Sequence, residues 1–258
     1  MHMNKQSLSL RDKNLISIGR AAKLIGVSVD TLRRWDESGK FTSVRIEPLG
    51  NRYYRRIDID LFMNDQVAVA QKWALSPFGY EPETEHFCKT RDVFQARLEH
   101  LQSDLVKQVD PNFVSLISAI TGEIGNNSFD HNLGNWPDVL GIYFAYSLSQ
   151  KKIVLADRGL GILTTLKKTL PDLNNHKEAL MVAFTEIVSG RSPESRGNGL
   201  KFVRSVVTKN PITLFFQTGN AILNLDKNDT DVVVGESTES IRGCIAILNY
   251  NIENVIEY

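Results

Sequence analysis

Glu123, Asn127 and Asp130 stand at positions i, i+4 and i+7 of the stretch EIGNNSFDH. On a helix that spacing turns a carboxylate, an amide and a second carboxylate to one side. Apolar residues at helical spacing, Phe113, Leu116, Ile117 and Ile120, come just before them. Two glycine-marked stretches follow. The strand-like IVLA runs into DRGLG, Asp157 to Gly161, and RGNGL, Arg196 to Leu200, opens a helical segment. A Gly-x-Gly ahead of a helix can present backbone N–H groups to a phosphate. Each stretch also has an ordinary reading: a solvated helix face, a turn after a strand, a plain helix start. Their order and setting point to a single site.

The elements that must position these residues follow from periodicity and breakers. Residues 64–90 read as a connector, because Pro77, Gly79 and Pro82 block a long helix. A helix is expected over 91–109, with Val93, Phe94, Leu98, Leu101, Leu105 and Val109 at helical spacing. The long helix carrying Glu123 starts after Pro111. Strands are expected at 139–147 and 151–156, then a long segment 162–196 with a helix near 176–188. A helix at 200–209 and strands at 212–217, 221–225 and 243–250 complete the chain.

From about residue 110 onward the chain resembles the GHKL group of ATPases, the Bergerat-fold family that includes gyrase, sensor histidine kinases and MutL. The N-box of that family is matched by Glu123, Asn127 and Asp130, its G1 box by Asp157, Gly159 and Gly161, and its G2 box by Gly197 and Gly199. RGCIAI, Arg242 to Ile247, is similar to the family's final strand, with Cys244 where Thr is common. The resemblance implies Mg-ATP as cofactor. It makes Asn127 the Mg²⁺ ligand, suited to a hard cation through its oxygen, and Glu123 the base that activates the attacking water. Asp130 would support metal–water or nucleotide contacts, and Asp157 would accept a hydrogen bond from the adenine amino group. Gly159 and Gly161 would let the backbone approach the nucleotide. Arg196, Gly197, Gly199 and Leu200 would line the phosphates at the helix start. Segment 162–196 would be the lid, with Arg191 and Ser192 as further phosphate contacts or solvated loop residues. Gyrase and MutL add a second domain after this fold, and none is expected here. His100 lacks the surroundings of a phosphoacceptor histidine. The short form is closest to anti-sigma serine kinases.

Residues 15–63 have a different character. ISIGRAAKLIGVSVDTLRRWDESGKF reads as a short helix, a tight turn at Ile25-Gly26-Val27 and a second helix over about 28–38. Ser28 suits its N-cap and Gly39 its left-handed close. Two short strands about a Pro48-Leu49-Gly50-Asn51 turn and a short helix follow. The segment resembles a MerR-type winged helix-turn-helix. That resemblance implies double-stranded DNA as partner, with Thr31, Arg33 and Arg34 on the recognition helix and Arg52, Tyr53, Arg55 and Arg56 on the wing.

Composition agrees with this division. The chain has 258 residues and no net charge, yet residues 1–63 hold 12 Lys/Arg against 7 Asp/Glu, a net of +5 that the remainder balances with −5. Only the head is expected to meet an anionic partner. Two cysteines, Cys88 and Cys244, make no disulfide framework. His86 and Cys88 lack a matching pair of metal ligands. With no membrane-length apolar run, a cytoplasmic protein is expected. The expected fold is α+β: a winged helix-turn-helix at 1–63, a connector and amphipathic helix at 64–110, and a two-layer Bergerat α/β sandwich at 111–258. The expected function is an ATP-controlled transcriptional regulator, with a serine/threonine kinase acting on a neighbouring gene's product as the alternative. A homodimer is expected, built on helix 91–109 or on the ATPase domain.

Overall fold

The computed structural model describes residues 15–25, 27–39, 41–45, 50–62, 66–82, 85–148, 150–185 and 199–251. The expected turn residues Pro48 and Leu49, and Arg191, Ser192, Arg196 and Gly197, lie outside them. The chain divides into two units, with the boundary between Val69 and Ala70.

The first unit pairs β1 (Leu15–Ser17) with β3 (Arg52–Arg55), and β3 with β2 (Val44–Arg45), all antiparallel. Around this sheet lie α1 (Ile18–Ile25), α2 (Val29–Glu37) and α3 (Arg56–Phe62). Ser28 caps α2 by accepting from the Thr31 N–H at 3.0 Å, and Gly39 closes it at φ 74°, as the sequence suggests. Strand β1 carries no strong signal of its own; pairing with β3 makes it a strand. The core joins Ile16, Ala22, Leu32, Phe41, Tyr54 and Ile59. Phe41 stacks on Tyr54 at 5.0 Å, and Phe62 lies 5.1 Å from Trp35 and 4.6 Å from Phe41. Large side chains matter in so small a core, each contributing roughly 1.5–3 kcal/mol by burial.

In the second unit, seven strands among the described residues form one antiparallel sheet. They are β4 (Phe87–Cys88), β5 (Ile142–Ser147), β6 (Lys152–Asp157), β7 (Ile212–Thr218), β8 (Ala221–Leu225), β9 (Val234–Glu236) and β10 (Cys244–Tyr250), in the order β4-β5-β6-β10-β7-β8-β9. Helices α5 (Arg91–Leu105), α6 (Pro111–Asn132), α8 (His176–Thr185) and α9 (Gly199–Lys209) share a core with one sheet face, through residues such as Phe144, Leu155, Phe216 and Leu248. Asp110 caps α6 by accepting from the Asn112 and Phe113 N–H groups, with Pro111 in the first turn. Residues facing the other way, including Tyr143, Ala156 and Ile245, are buried too. On that side Trp73 of α4 (Gln66–Leu75) meets the edge of Phe87, the register partner of Tyr143.

Stretch 64–110 is more than a connector. Its α4 crosses the unit boundary, β4 pairs with β5, and α5 packs on α6. The apolar stripe of α5, Phe94, Leu98, Leu101 and Leu105, is buried inside the chain. An amphipathic helix with such a stripe satisfies it on the nearest apolar face, so this stripe is not the dimer surface expected of it.

Candidate functional site

The three motif stretches, far apart in sequence, meet in space. Helix α6 lays its buried stripe on the sheet, and Asp157 ends β6 on the face turned toward it. Ser128 Oγ donates to Asp157 Oδ2 at 2.8 Å, and the Gly159 N–H donates to Oδ1 at 2.8 Å. Asn132, one turn on, accepts from the Leu160 N–H at 2.8 Å and donates to the Ser128 carbonyl at 2.7 Å. It lies so close to Gly159 that a methyl group there would overlap its amide. Gly161 opens α7 (Gly161–Leu166) at φ 73°, and the next N–H, of Ile162, donates to Thr218 Oγ1 at 3.2 Å. From the other direction, Gly199 brings the start of α9 against Glu123, whose carboxylate occupies the space a side chain at 199 would need.

Glu123 and Asn127 are half-buried and have no hydrogen-bond or ion-pair partner among the described residues. Asp130 differs: it is exposed and pairs with Arg91 of α5 at the surface. Leu200 is partly buried against the core. Neither of two clefts of about 290 and 300 Å³ is lined by Glu123, Asn127 or Asp157. No group of three or more His, Cys, Asp or Glu among the described residues is placed to hold a metal.

Burial pushes the Asp157 carboxyl up to about 6, against the opposing pull of the Gly159 and Ser128 hydrogen bonds. Among the described residues no cation stands beside it to reverse that shift. Its register partner on β10 is Cys244, which pairs in turn with Thr218 on β7. Burial, with Asp157 adding to it, raises the Cys244 thiol well above its ordinary value, so the thiol stays protonated.

Ser128, Asn132 and Thr218 did not stand out in the sequence. The signal for the first two was there: Ser128 and Asn132 continue, at i and i+4, the inward stripe begun by Ile120 and Ile124. A polar side chain on a buried stripe needs a partner.

In the first unit the expected DNA contacts fall into two groups. Arg34 and Arg55 are exposed and unpaired among the described residues. Arg33 is in an exposed pair with Asp30 at 2.8 Å, an interaction weak enough to yield to a phosphate. Arg56 is exposed, whereas Thr31 and Tyr53 are half-buried, and the Thr31 hydroxyl is 2.9 Å from that of Ser28. Arg52 is committed elsewhere. Its Nε donates to Asp36 Oδ2 at 2.6 Å and its Nη2 to Glu37 Oε1 at 3.1 Å, tying the wing strand to α2. Arg52 therefore braces the wing strand against α2. Burial would raise the Asp36 carboxyl, but hydrogen bonds from Arg52 and Ser43 outweigh it and bring it down to about 2.

No helix among the described residues is long and apolar enough to cross a membrane. A type II methyltransferase, M.Eco47II of Escherichia coli, is 24% identical to the chain over 221 residues, covering 79% of this chain and 51% of the relative. The chain thus spans about half the length of that curated relative. Residues 17–54, which run from the end of β1 through α1, α2 and β2 into β3, match the MerR family regulatory protein family.

Proposed function

We propose that this protein is a DNA-binding transcriptional regulator whose C-terminal unit binds Mg-ATP in the manner of the GHKL ATPases and uses it to control DNA binding. The observation that carries the C-terminal reading is the meeting of α6, the end of β6 and the start of α9 around two polar side chains that have no partner among the described residues. A half-buried carboxylate and amide one helical turn apart, unpaired among the described residues, suit an external ligand. Asn127 offers an oxygen to Mg²⁺, whose remaining ligands would be phosphate oxygens and water. Glu123 holds and deprotonates a water for attack on the terminal phosphate. Asp157, with one oxygen on Ser128 and the other on Gly159, accepts from the adenine amine. Guanine would set a carbonyl oxygen there, acceptor against acceptor. The N–H groups opening α9 receive phosphate.

For the head, the match at 17–54 and the exposed Arg34 and Arg55, unpaired among the described residues, support recognition of double-stranded DNA by α2 and the wing. One head alone would bind loosely and with steep salt dependence, so function calls for a homodimer. Incubating the protein with labelled ATP, alone and with the products of neighbouring genes, tests the reading. Free phosphate supports the ATPase switch, label on a partner protein supports a serine/threonine kinase, and failure to bind ATP in calorimetry removes both. A second reading, favoured by the likeness to M.Eco47II, gives the C-terminal unit a part in methyl transfer. The same calorimetry with S-adenosylmethionine in place of ATP separates the two.

A further inference from the structure

Asp157 and Arg158 are joined by one peptide bond, yet they serve opposite faces of the sheet. Asp157 meets Ser128 of α6, whereas Arg158 points to the side of Trp73. Arg158 is wholly buried. Its guanidinium lies 6.0 Å from the Trp73 ring centroid, and its Nη1 donates to the Trp73 carbonyl and, at 2.9 Å, to that of Ser76. Its Nη2 donates to Asp138 Oδ2 at 2.6 Å, and its Nε to Oδ1 at 3.3 Å. Arg242, just before β10, adds a second hold: its N–H donates to the Ala74 carbonyl at 3.2 Å and its Nη1 to Asp138 Oδ2 at 3.1 Å. Between them, Gly243 sits against the Asp157 carbonyl, where no side chain would fit.

The carbonyls so capped belong to the C-terminal end of α4, where a helix has no internal donors left to offer. Helix α4 is also the chain's path across the boundary at Val69 and Ala70. We infer that Arg158, assisted by Arg242, is a positioning residue that relays the nucleotide state of the Asp157 site to α4 and so to the DNA-binding unit. This rests on the nucleotide reading above. The physical ground is stiffness. A planar guanidinium with its donors committed to a carboxylate and two carbonyls cannot re-aim one bond without disturbing the others. Any shift of the peptide after Asp157, on binding a base at its carboxylate, is therefore passed to the end of α4.

Hydrogen–deuterium exchange on the full chain, with and without Mg-ATP and alongside calorimetry, tests the relay. In the wild type, ATP should change exchange of the α4 amides about fivefold or more, the lower end of typical coupling between sites. Arg158→Lys keeps the charge but loses the fork. It should still bind ATP and show the response at α7, while the response at α4 disappears; a purely structural arginine would leave both responses or lose both. Arg242→Ala, at a side chain 44% exposed, should weaken the α4 response and carries the comparison if Arg158→Lys does not fold. Heat of ATP binding with unchanged α4 exchange in the wild type, or a full α4 response in the variants, overturns the relay alone. No heat at all overturns the nucleotide reading and the relay with it.

Discussion

Asp36 in the head and Asp157 in the C-terminal unit are both desolvated carboxyls accepting two or more hydrogen bonds, yet they move in opposite directions, to about 2 and about 6. The difference lies in the donors. Asp36 faces the guanidiniums of Arg52 and Arg45, and a cation at contact distance more than offsets lost hydration. Asp157 faces a hydroxyl and a backbone N–H, which are too weak to do so. The nearest arginine in sequence, Arg158, turns to the other face of the sheet. The head thus uses a charged carboxylate to brace its wing. The C-terminal unit keeps a buried carboxyl whose titration is pushed toward neutrality, and perturbed groups of that kind gather at functional sites.

The strongest way to break this contrast is at Glu123 on α6. Glu123→Ala should retain ATP binding while phosphate release falls by roughly 10²–10⁴-fold, the usual contribution of a positioned base. Hydrolysis at the wild-type rate would reduce Glu123 to an ordinary helix residue. Next in size is Asp157→Asn, which should weaken ATP binding by about 1–3 kcal/mol through a donor set against a donor. Equal affinity of the wild type for ATP and GTP in calorimetry would remove Asp157 from base recognition. This variant also tests the pH behaviour. Between pH about 4 and about 6 the folded wild type retains a proton on Asp157 that the unfolded chain has released, so stability should fall as pH rises through that window. Thermal melts of Asp157→Asn should lose that slope.

Arg52→Ala should act on the head, by about 1–2 kcal/mol, as a charge-assisted bond to a largely buried carboxylate is lost. With the folded Asp36 carboxyl at about 2, its contribution is present above pH about 4 and is lost as pH falls toward 2. Removing Arg52 should move that acid loss to higher pH, as followed by fluorescence of Trp35. The smallest effect is expected from Arg34→Ala or Arg55→Ala. Each should lower DNA affinity evenly across sequences and reduce the salt slope by about one, with ATP binding unchanged. A gel shift over a salt series reads this, and an unaltered slope would move the DNA face off α2 and the wing.

Much of the scaffold is legible in the chain because it rests on short-range rules. The Ser28 cap, the turn at Gly39, the stripe of α6 and the apolar strands β5 to β8 and β10 each follow from residues within a turn or two. Strands β1, β4 and β9 are not legible in that way. Each is two or three residues long and owes its form to a neighbouring strand. Helix α4 was obscured by the Pro77 and Gly79 that follow it.

By itself, then, the sequence determined which residues lie on which face of α6, where β6 ends, and that a basic head precedes an acidic body. Which charges meet was decided by tertiary structure alone. Arg52 reaches Asp36 across 16 residues, Ser128 reaches Asp157 across 29, and Arg158 reaches the Ser76 carbonyl across 82. Periodicity and capping act within a few residues, so they record an element's faces but not its neighbours. The state of a buried carboxyl depends on those neighbours, and only packing supplies them.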